Sequence, residues 1–320
     1  MSNTRANTSA FINDEQYSSF ILTNLHDVLL PEAFYRNVSD FGSGSVLNIK
    51  TVGTRSIQDA AENTDLAYSP IDSSTITLTI TEYVGDAMYV TDELKEDGSQ
   101  VEQLIAMSGV ETARAIEEDF ETKFLKTAYL GQTPADPNEV NGFPHRVLAS
   151  GTNDTLSEED LIDMALAFDK ANVPMAGRVA VVDPVVGATF NKKVTLSAGL
   201  DRQPMFQSAF ESGFAREHKF IGNIFGWDIY TSNRLPRVDA GTNIDGTASI
   251  TGAGVANLFM NVLDDNTKPV MAAWRRMPRS ETERNKDKRR DETVTTCRYG
   301  FGVQRVDTLG VIVTSATATA

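Results

Sequence analysis

Between Thr75 and Thr81 the chain reads Thr-Ile-Thr-Leu-Thr-Ile-Thr, a strict alternation of polar and apolar positions. Successive side chains of a β-strand point to opposite faces, so Ile76, Leu78 and Ile80 share one face and the threonines the other. Val46 to Val52 supplies a second strand, and the stretch between, Gly53 to Ser74, is polar and acidic and could not build a core of its own. A connection that long exceeds the ~12–15 residues that ordered loops usually span, and such loops are functional or disordered. A lone two-stranded ribbon is marginally stable. The pattern therefore predicts a finger that leans on something outside its own chain, with an ordinary flexible hairpin as the alternative.

Upstream, residues 1–40 read as an arm with one short amphipathic helix, in which Phe20, Ile21, Leu25, Val28 and Leu29 recur at helical spacing before Pro31. Downstream, Tyr83 to Val90 reads as a strand with Val84, Met88 and Val90 on one side. Ser99, with Glu102 three residues later, forms a capping box that opens a helix. The helix runs to about Leu130, where Gly131 is a natural stop. At ~30 residues it would be about 45 Å long. Its apolar positions drift, with Val101, Leu104 and Ile105 on one side and Ala113, Ile116, Phe120 and Phe124 farther round. A rotating stripe suits a spine touching different elements along its length, not the fixed seam of a coiled coil.

The turn-rich stretch Pro134 to Pro144 leads to Thr155 and Ser157, which precede a helix carrying Leu161, Met164, Ala165, Phe168 and Ala171. That helix ends at Asn172-Val173-Pro174, because the residue before proline is pushed out of the helical region. Arg178 to Val182 is a short strand, and Asp183-Pro184 pairs an N-cap with proline at the first helical position. Residues 221–231 form a hairpin turning at Gly226, Gly241 to Gly254 is a polar loop, and Leu258–Val262 and Val270–Trp274 are buried strands. Val294 to Val313 closes the chain as strands. The alternation of strand and helix from 155 to 235 is that of a mixed α/β body.

Composition narrows the function classes. A formal charge of −15 and a pI near 4.7 argue against a general nucleic-acid binder, which needs a basic surface to release counterions. They permit a surface that lies near nucleic acid without adhering, because like charges repel. The single cysteine, Cys297, excludes an internal disulfide or a multi-cysteine metal site. No run reaches the ~18–20 apolar residues needed to cross a bilayer, and the polar N-terminus lacks the pattern of a signal peptide. The expectation is a soluble protein made in the cytoplasm.

Candidate chemistry is sparse. The acidic clusters Asp92/Glu93/Glu96/Asp97 and Glu117/Glu118/Asp119/Glu121 could offer oxygens to a hard cation. Consecutive helical residues diverge, however, so a solvated or interface helix face is the expectation. His26, His145 and His218 lack paired metal-ligand spacing. Gly252-Ala253-Gly254 begins like a dinucleotide fingerprint, but Asn257 occupies the third glycine position and a polar loop precedes it. Cys297, beside Arg298, is either a reactive thiol or, as free cysteines commonly are, a buried one. Arg279 to Glu292 holds six basic and five acidic residues, which suits salt bridges within the fold or between subunits, or else a disordered linker. No cofactor is expected.

Three stretches carry a resemblance that covers nearly the whole chain in order. They are Asn172-Val-Pro-Met-Ala-Gly-Arg-Val-Ala-Val-Val-Asp-Pro184, Ile221-Gly-Asn-Ile-Phe-Gly-Trp-Asp-Ile-Tyr-Thr-Ser-Asn-Arg-Leu-Pro236 and Tyr299-Gly-Phe-Gly-Val-Gln-Arg-Val-Asp307. With the arm, ribbon and long helix, they resemble the major capsid proteins of tailed bacteriophages, the Hong Kong-type capsid fold. The resemblance implies an α+β chain with an N-terminal arm (1–41), an extended β-hairpin loop (42–82), a peripheral domain with the spine helix (83–150), an axial α/β domain (151–272) and a return to the peripheral domain and C-terminal strand (273–320).

It further implies a non-catalytic coat subunit whose pentamers and hexamers close an icosahedral head around double-stranded DNA, held without specific binding. Implied partners are other copies, a separate scaffolding protein (the arm begins at once, with no scaffolding region before it), a portal and a decoration protein, with no membrane. The implied location is the virion. Some relatives cross-link a ribbon lysine to a neighbour's asparagine; Gly53 to Ser74 holds no lysine and Lys50 sits in a strand, so locking is expected to be non-covalent. Expected contacts between subunits are Arg55, Asp59 and Glu62 on the ribbon and Glu281, Arg284, Arg289 and Arg290 in the charged run. The alternatives are an encapsulin-like compartment with the same fold and a cytosolic α/β enzyme, which would need a convergent site that the sequence does not display.

Overall fold

The computed structural model describes residues 29–38, 44–98, 101–197 and 220–319, apart from positions 54, 56, 61, 64, 66, 67 and 69. The arm helix expected over residues 20–29 lies outside the described residues except for Leu29, as do Ser99, His26 and His218.

Three runs in the second half are apolar almost throughout: β6 (Arg178–Val182), β10 (Gly254–Asn261) and β13 (Leu309–Ser315). Strands of that kind belong in a sheet covered on both faces. They form the centre of a seven-stranded sheet ordered β5-β13-β10-β6-β8-β7, in which β5 is Arg146–Leu148, β7 is Phe220–Ile224, β8 is Trp227–Thr231, and β9 (Arg237–Val238) pairs with β10. Two short helices, α3 (Glu158–Lys170) and α4 (Pro184–Ser197), contribute Leu161, Met164, Phe168, Val186 and Phe190 to one face, against Ala180, Val182, Ile229 and Phe259. Val179, Val181, Leu258 and Val311 bury into the other face, as the two-residue period requires.

Two helix starts read from the sequence show their caps. Ser157 and Asp160 form a reciprocal capping box on α3, and Asp183 accepts from the Val185 amide at the start of α4. The α3 stop has a cause the sequence reading missed. Asn172 takes a left-handed φ of 58°, and Val173 N–H donates to the Phe168 carbonyl at 3.0 Å, so asparagine closes the helix before the proline acts.

A four-stranded sheet, β1-β11-β12-β4, makes the second body: β1 is Arg36–Asn37, β4 Glu82–Thr91, β11 Val270–Asn285 and β12 Arg290–Val303. The charged run Arg279 to Glu292 is thus neither linker nor loop. It is the distal end of the β11–β12 hairpin, with Asn285 opposite Arg290. Strands β5 and β13 depart from the expected division, since both fall in ranges assigned to the peripheral unit yet pair into the seven-stranded sheet. The reason is burial: Leu309, Val311, Ile312 and Val313 need cover on two sides.

One helix joins the two sheets. After the short α1 (Asp92–Asp97), α2 runs from Val101 to Leu130, as the sequence predicts. Its stripe rotates, but farther along than expected: Leu104, Ile105 and Ala113 are exposed, Ile116 and Phe120 bury against Ala272, Cys297 and Tyr299 of the four-stranded sheet, and Phe124, expected on the same side, joins the core of the seven-stranded one with Leu125 and Ala128. Phe120 stacks on Trp274 at 4.7 Å and 7°. At the crossover sits Glu121, buried, where a solvated or interface helix face was expected. Its carboxylate accepts from the Leu30 amide (3.0 Å), from the Ser232 hydroxyl (2.9 Å) and from Arg234 (3.5 Å), and Arg234 also pairs with Glu118 at 2.9 Å. The arm, the helix and the segment leaving β8 therefore meet on one side chain. Glu121→Gln keeps the shape but weakens three charge-assisted bonds, and should cost about 2 kcal/mol in thermal unfolding of the subunit; an unchanged midpoint would refute the role of this junction.

Candidate assembly surfaces

The ribbon consists of β2 (Val46–Val52) and β3 (Ser73–Thr79), antiparallel with Val46 opposite Thr79 and Val52 opposite Ser73. The alternation read from the sequence is realised, because Leu78 and Ile80 are buried, Ile76 is partly buried and the threonines are exposed. Leu47, Ile49 and Ile76 pack with Leu78 against Met271 and Ala273 of β11. Two glycines permit that approach. A Cβ on Gly300 would stand 2.5 Å from the Thr79 carbonyl oxygen and 2.7 Å from Ile80 Cα, and one on Gly302 would stand 2.9 Å from Leu78 Cδ1. The Gly300-Phe301-Gly302 alternation thus turns Phe301 toward α2 and leaves bare backbone for the ribbon's base.

Beyond the base the finger projects. Arg55, Asp59 and Glu62 are all exposed there, and so are Val52, Ile57, Tyr68 and Ile71.

The distal hairpin engages its own chain first. Arg284 forks onto Asp92 at 3.0 and 2.8 Å and reaches Asp291 at 3.2 Å; Lys95 pairs with Asp291, and the Asp92 amide donates to the Arg289 carbonyl at 3.1 Å. Arg290 binds Glu292 at 2.6 Å and lies 4.3 Å over the Tyr89 ring, while Glu281 pairs with Arg276 (3.3 Å) and Arg279 (3.4 Å). Arg289 sits exposed at the turn with a φ of 49°. The structure therefore gathers Glu281, Arg284, Arg289 and Arg290 on one hairpin that clasps α1, apart from the three ribbon residues. Hydrogen bonds from Arg284, Lys95 and Arg290 hold Asp92, Asp291 and Glu292 respectively below the usual carboxylate range.

Sequence reasoning missed the sheet face that looks away from α2. Cys297 and Tyr299 turn toward the helix, so Arg298 between them turns outward, opposite Arg276 on one side and Tyr83 on the other. Tyr83, Tyr89 and Val294 are exposed on that face. Opposed arginines repel, and tyrosine with arginine is the composition of interface centres. Period-two alternation through β12 is the signal that could have found it.

The remaining candidates are structural. Cys297 is buried, and burial pushes its thiol up, away from reactivity. His145 is buried and stacked on Phe168 at 5.5 Å. Gly254 opens a strand, not the helix a dinucleotide fingerprint needs, and Asn257 holds the Asp183 amide and the Ile312 carbonyl. A cleft of about 700 Å³ lies between the base of the arm, α2 and β11, with Phe120, Trp274 and Met277 in its wall. Among the described residues, no group of three or more His, Cys, Asp or Glu side chains could hold a metal, and no helix is long and apolar enough to cross a membrane.

A ribbon on glycine backbone, a helix shared by two sheets and a clasped hairpin define a shell-building subunit of the Hong Kong-type capsid fold. The chain belongs to the phage capsid protein family, whose profile matches residues 73–314, and it is a major capsid protein of the phage head. Among solved structures it is similar to a chain from Mycobacterium phage Che8, with 19% identity, 93% of this chain and 96% of that one covered, and a TM-score of 0.63. It is similar to the asymmetric unit of the bacteriophage PhiM1 mature capsid, with 14% identity, 99% and 97% coverage and a TM-score of 0.67. The capsid of a native GTA particle matches at 13% identity, 98% and 99% coverage and a TM-score of 0.67. No curated protein matches the sequence. These likenesses do not favour the encapsulin alternative.

Two expectations follow. Gly300→Ala should destabilise the subunit by about 1–3 kcal/mol and speed proteolytic cleavage of the ribbon, whereas Gly252→Ala, with open space around it, should do neither. Because the clasp carboxyls titrate below their unfolded values, the clasp is at full strength above the ordinary aspartate value of 3.8 and is lost as pH falls through the lowered ones. Hydrogen exchange of residues 92–97 should rise in that acid window, and in Arg284→Met at neutral pH; protection that stays constant would contradict the clasp.

Proposed function

We propose that copies of this chain assemble as pentamers and hexamers into an icosahedral head around double-stranded DNA, which they enclose without specific binding and without catalysis. The observation that carries this reading is the ribbon, anchored at its base on Gly300 and Gly302 and projecting exposed Ile57, Tyr68 and Ile71 beyond it. An exposed apolar finger is a liability for a monomer and an asset for a subunit with neighbours. Obligate interfaces commonly exceed ~2,000 Å², and a finger reaching beyond its own body adds to such an area. The chain's −15 charge favours DNA that slides along the inner wall instead of sticking to it.

The proposed division keeps the arm at 1–41 and the extended loop at 42–82. A peripheral unit holds α2 and the four-stranded sheet, and an axial unit holds the seven-stranded sheet, including β5 and β13. Arg55, Asp59 and Glu62 are the proposed ribbon contacts. Glu281, Arg284, Arg289 and Arg290 act by fixing the shape that the hairpin presents to a neighbour. Synthesis in the host cytoplasm and work with a separate scaffolding protein, a portal and a decoration protein complete the proposal.

Electron microscopy of the purified protein, alone and with a scaffold, tests it: closed shells are expected, and Asp59→Lys with Glu62→Lys should abolish them while leaving the subunit's circular dichroism intact. A compact monomer at high concentration would overturn the reading. With no lysine in Gly53 to Ser74, assembled particles should run as single chains on a denaturing gel; a covalent ladder would contradict non-covalent locking.

A further inference from the structure

The cleft between the base of the arm, α2 and β11 holds about 700 Å³, within the ~300–1,000 Å³ of clefts that receive a bound group. Its walls are mostly apolar, formed by Leu30 and Tyr35 of the arm, Ile116 and Phe120 of α2, and Trp274 and Met277 of β11. Trp274 lies flat on Phe120, and Met277 is 64% exposed. A small ligand would need polar groups converging inside to orient it. The charged groups Glu121 and Arg114 in the wall are already engaged, the first with Leu30, Ser232 and Arg234, the second with Glu117 and Glu118. A row of apolar side chains suits such walls better.

The chain itself leads one there. Leu29 and Leu30 line the cleft, the Leu30 amide is fixed on Glu121 at 3.0 Å, and Phe34 is buried against Tyr230 at 5.1 Å. The segment before Leu29, which lies outside the described residues, is thus joined to the cleft with no linker between. In a helical register Phe20, Ile21, Leu25, Val28 and Leu29 share one face, and Ser19, Thr23, His26 and Asp27 the other. The lengths agree: at about 1.5 Å per residue, Phe20 to Leu29 spans about 14 Å, and the α2 wall from Ala113 to Phe124 about 16 Å. Asp27 is the only carboxylate from Tyr17 to Val28, where no lysine or arginine occurs, so burying the apolar face strands no charge. The ribbon tip of a second copy is the rival occupant, but it would bring Asp59, Glu62 and Asp65 along with Ile57 and Tyr68.

We propose that residues 20–28 of the same copy fill this cleft as a short helix, laying Phe20, Ile21, Leu25 and Val28 against Phe120, Trp274 and Met277. A helix this short is marginal alone, and the cleft supplies the packing that it lacks. A tethered segment acts at an effective concentration of about millimolar, so the arm covers the cleft before any neighbour arrives.

Thiol labelling of the full-length chain, dilute enough to stay monomeric, tests this docking. Met175 and Met277 are comparably exposed, at 72% and 64%, and the native Cys297 is buried. With the arm docked, Met277→Cys should react with a maleimide at least about tenfold more slowly than Met175→Cys, since a minor open state holds about 10% or less of the population. Adding Phe20→Ser and Leu25→Ser should restore the fast rate. Equal rates for the two cysteine variants would overturn the proposal. So would protection of Met277→Cys that survives both serine substitutions, or that develops only as the concentration rises, because another segment or a second copy would then be the cover. Acrylamide quenching of Trp274, read over the fully buried Trp227, needs no cysteine. It should increase in the Phe20→Ser, Leu25→Ser chain, and quenching that does not change contradicts the docked arm.

Discussion

The structure depends on one helix serving two sheets. Ile116 and Phe120 face the four-stranded sheet, and about one to two turns later Phe124, Leu125 and Ala128 face the seven-stranded one. A straight helix can do this only if its apolar stripe rotates, and at the crossover some residue must look into the gap between the two cores. Glu121 is that residue. A carboxylate there must be paired, because unpaired buried charge is costly, and the available donors are the Leu30 amide, the Ser232 hydroxyl and Arg234. A buried ion pair adds little net stability, but it accepts few alternative geometries. The junction therefore fixes how arm, helix and sheet are placed more than how strongly they hold.

The ribbon shows the same preference for position over strength. Its base could have been anchored by large side chains on β12. Instead Gly300 and Gly302 expose backbone, and Leu47, Ile49, Ile76 and Leu78 reach over to Met271 and Ala273. Close approach fixes direction because any tilt either opens a gap or produces a clash. A finger held at its root and exposed along its length keeps a defined trajectory while its tip remains available to a neighbour.

Much of this was legible in the sequence, for identifiable reasons. Period-two alternation at 75–81, caps at Ser157 and Asp183, and the glycine stop after Leu130 are local signals, and the structure reproduces each of them. What escaped depends on distant partners. Nothing local distinguishes Glu121 from Glu117; only the arrival of Leu30, Ser232 and Arg234 buries one and not the other. Arg279 to Glu292 was open between a salt-bridged stretch and a linker, and the first holds because β4 lies alongside and α1 supplies Asp92. The sheet that strand β13 joins was left open by the sequence reading, although its unbroken apolar run, Leu309 to Val313, already demanded cover on both faces. The ribbon residues Arg55, Asp59 and Glu62 are exposed, as a contact role requires.

The charge distribution gives these choices a common sense. The chain is strongly acidic, yet the hairpin acids Glu281, Asp291 and Glu292 are engaged by Arg276 and Arg279, by Lys95 and Arg284, and by Arg290. Exposed pairs of this kind add little stability, so their effect is to shape the hairpin and α1 before any partner arrives. A subunit that meets its neighbours with preset surfaces loses less entropy on ordering at each contact. Individual contacts can then stay weak, and a shell built from many weak contacts can correct misplaced copies by dissociation before it closes.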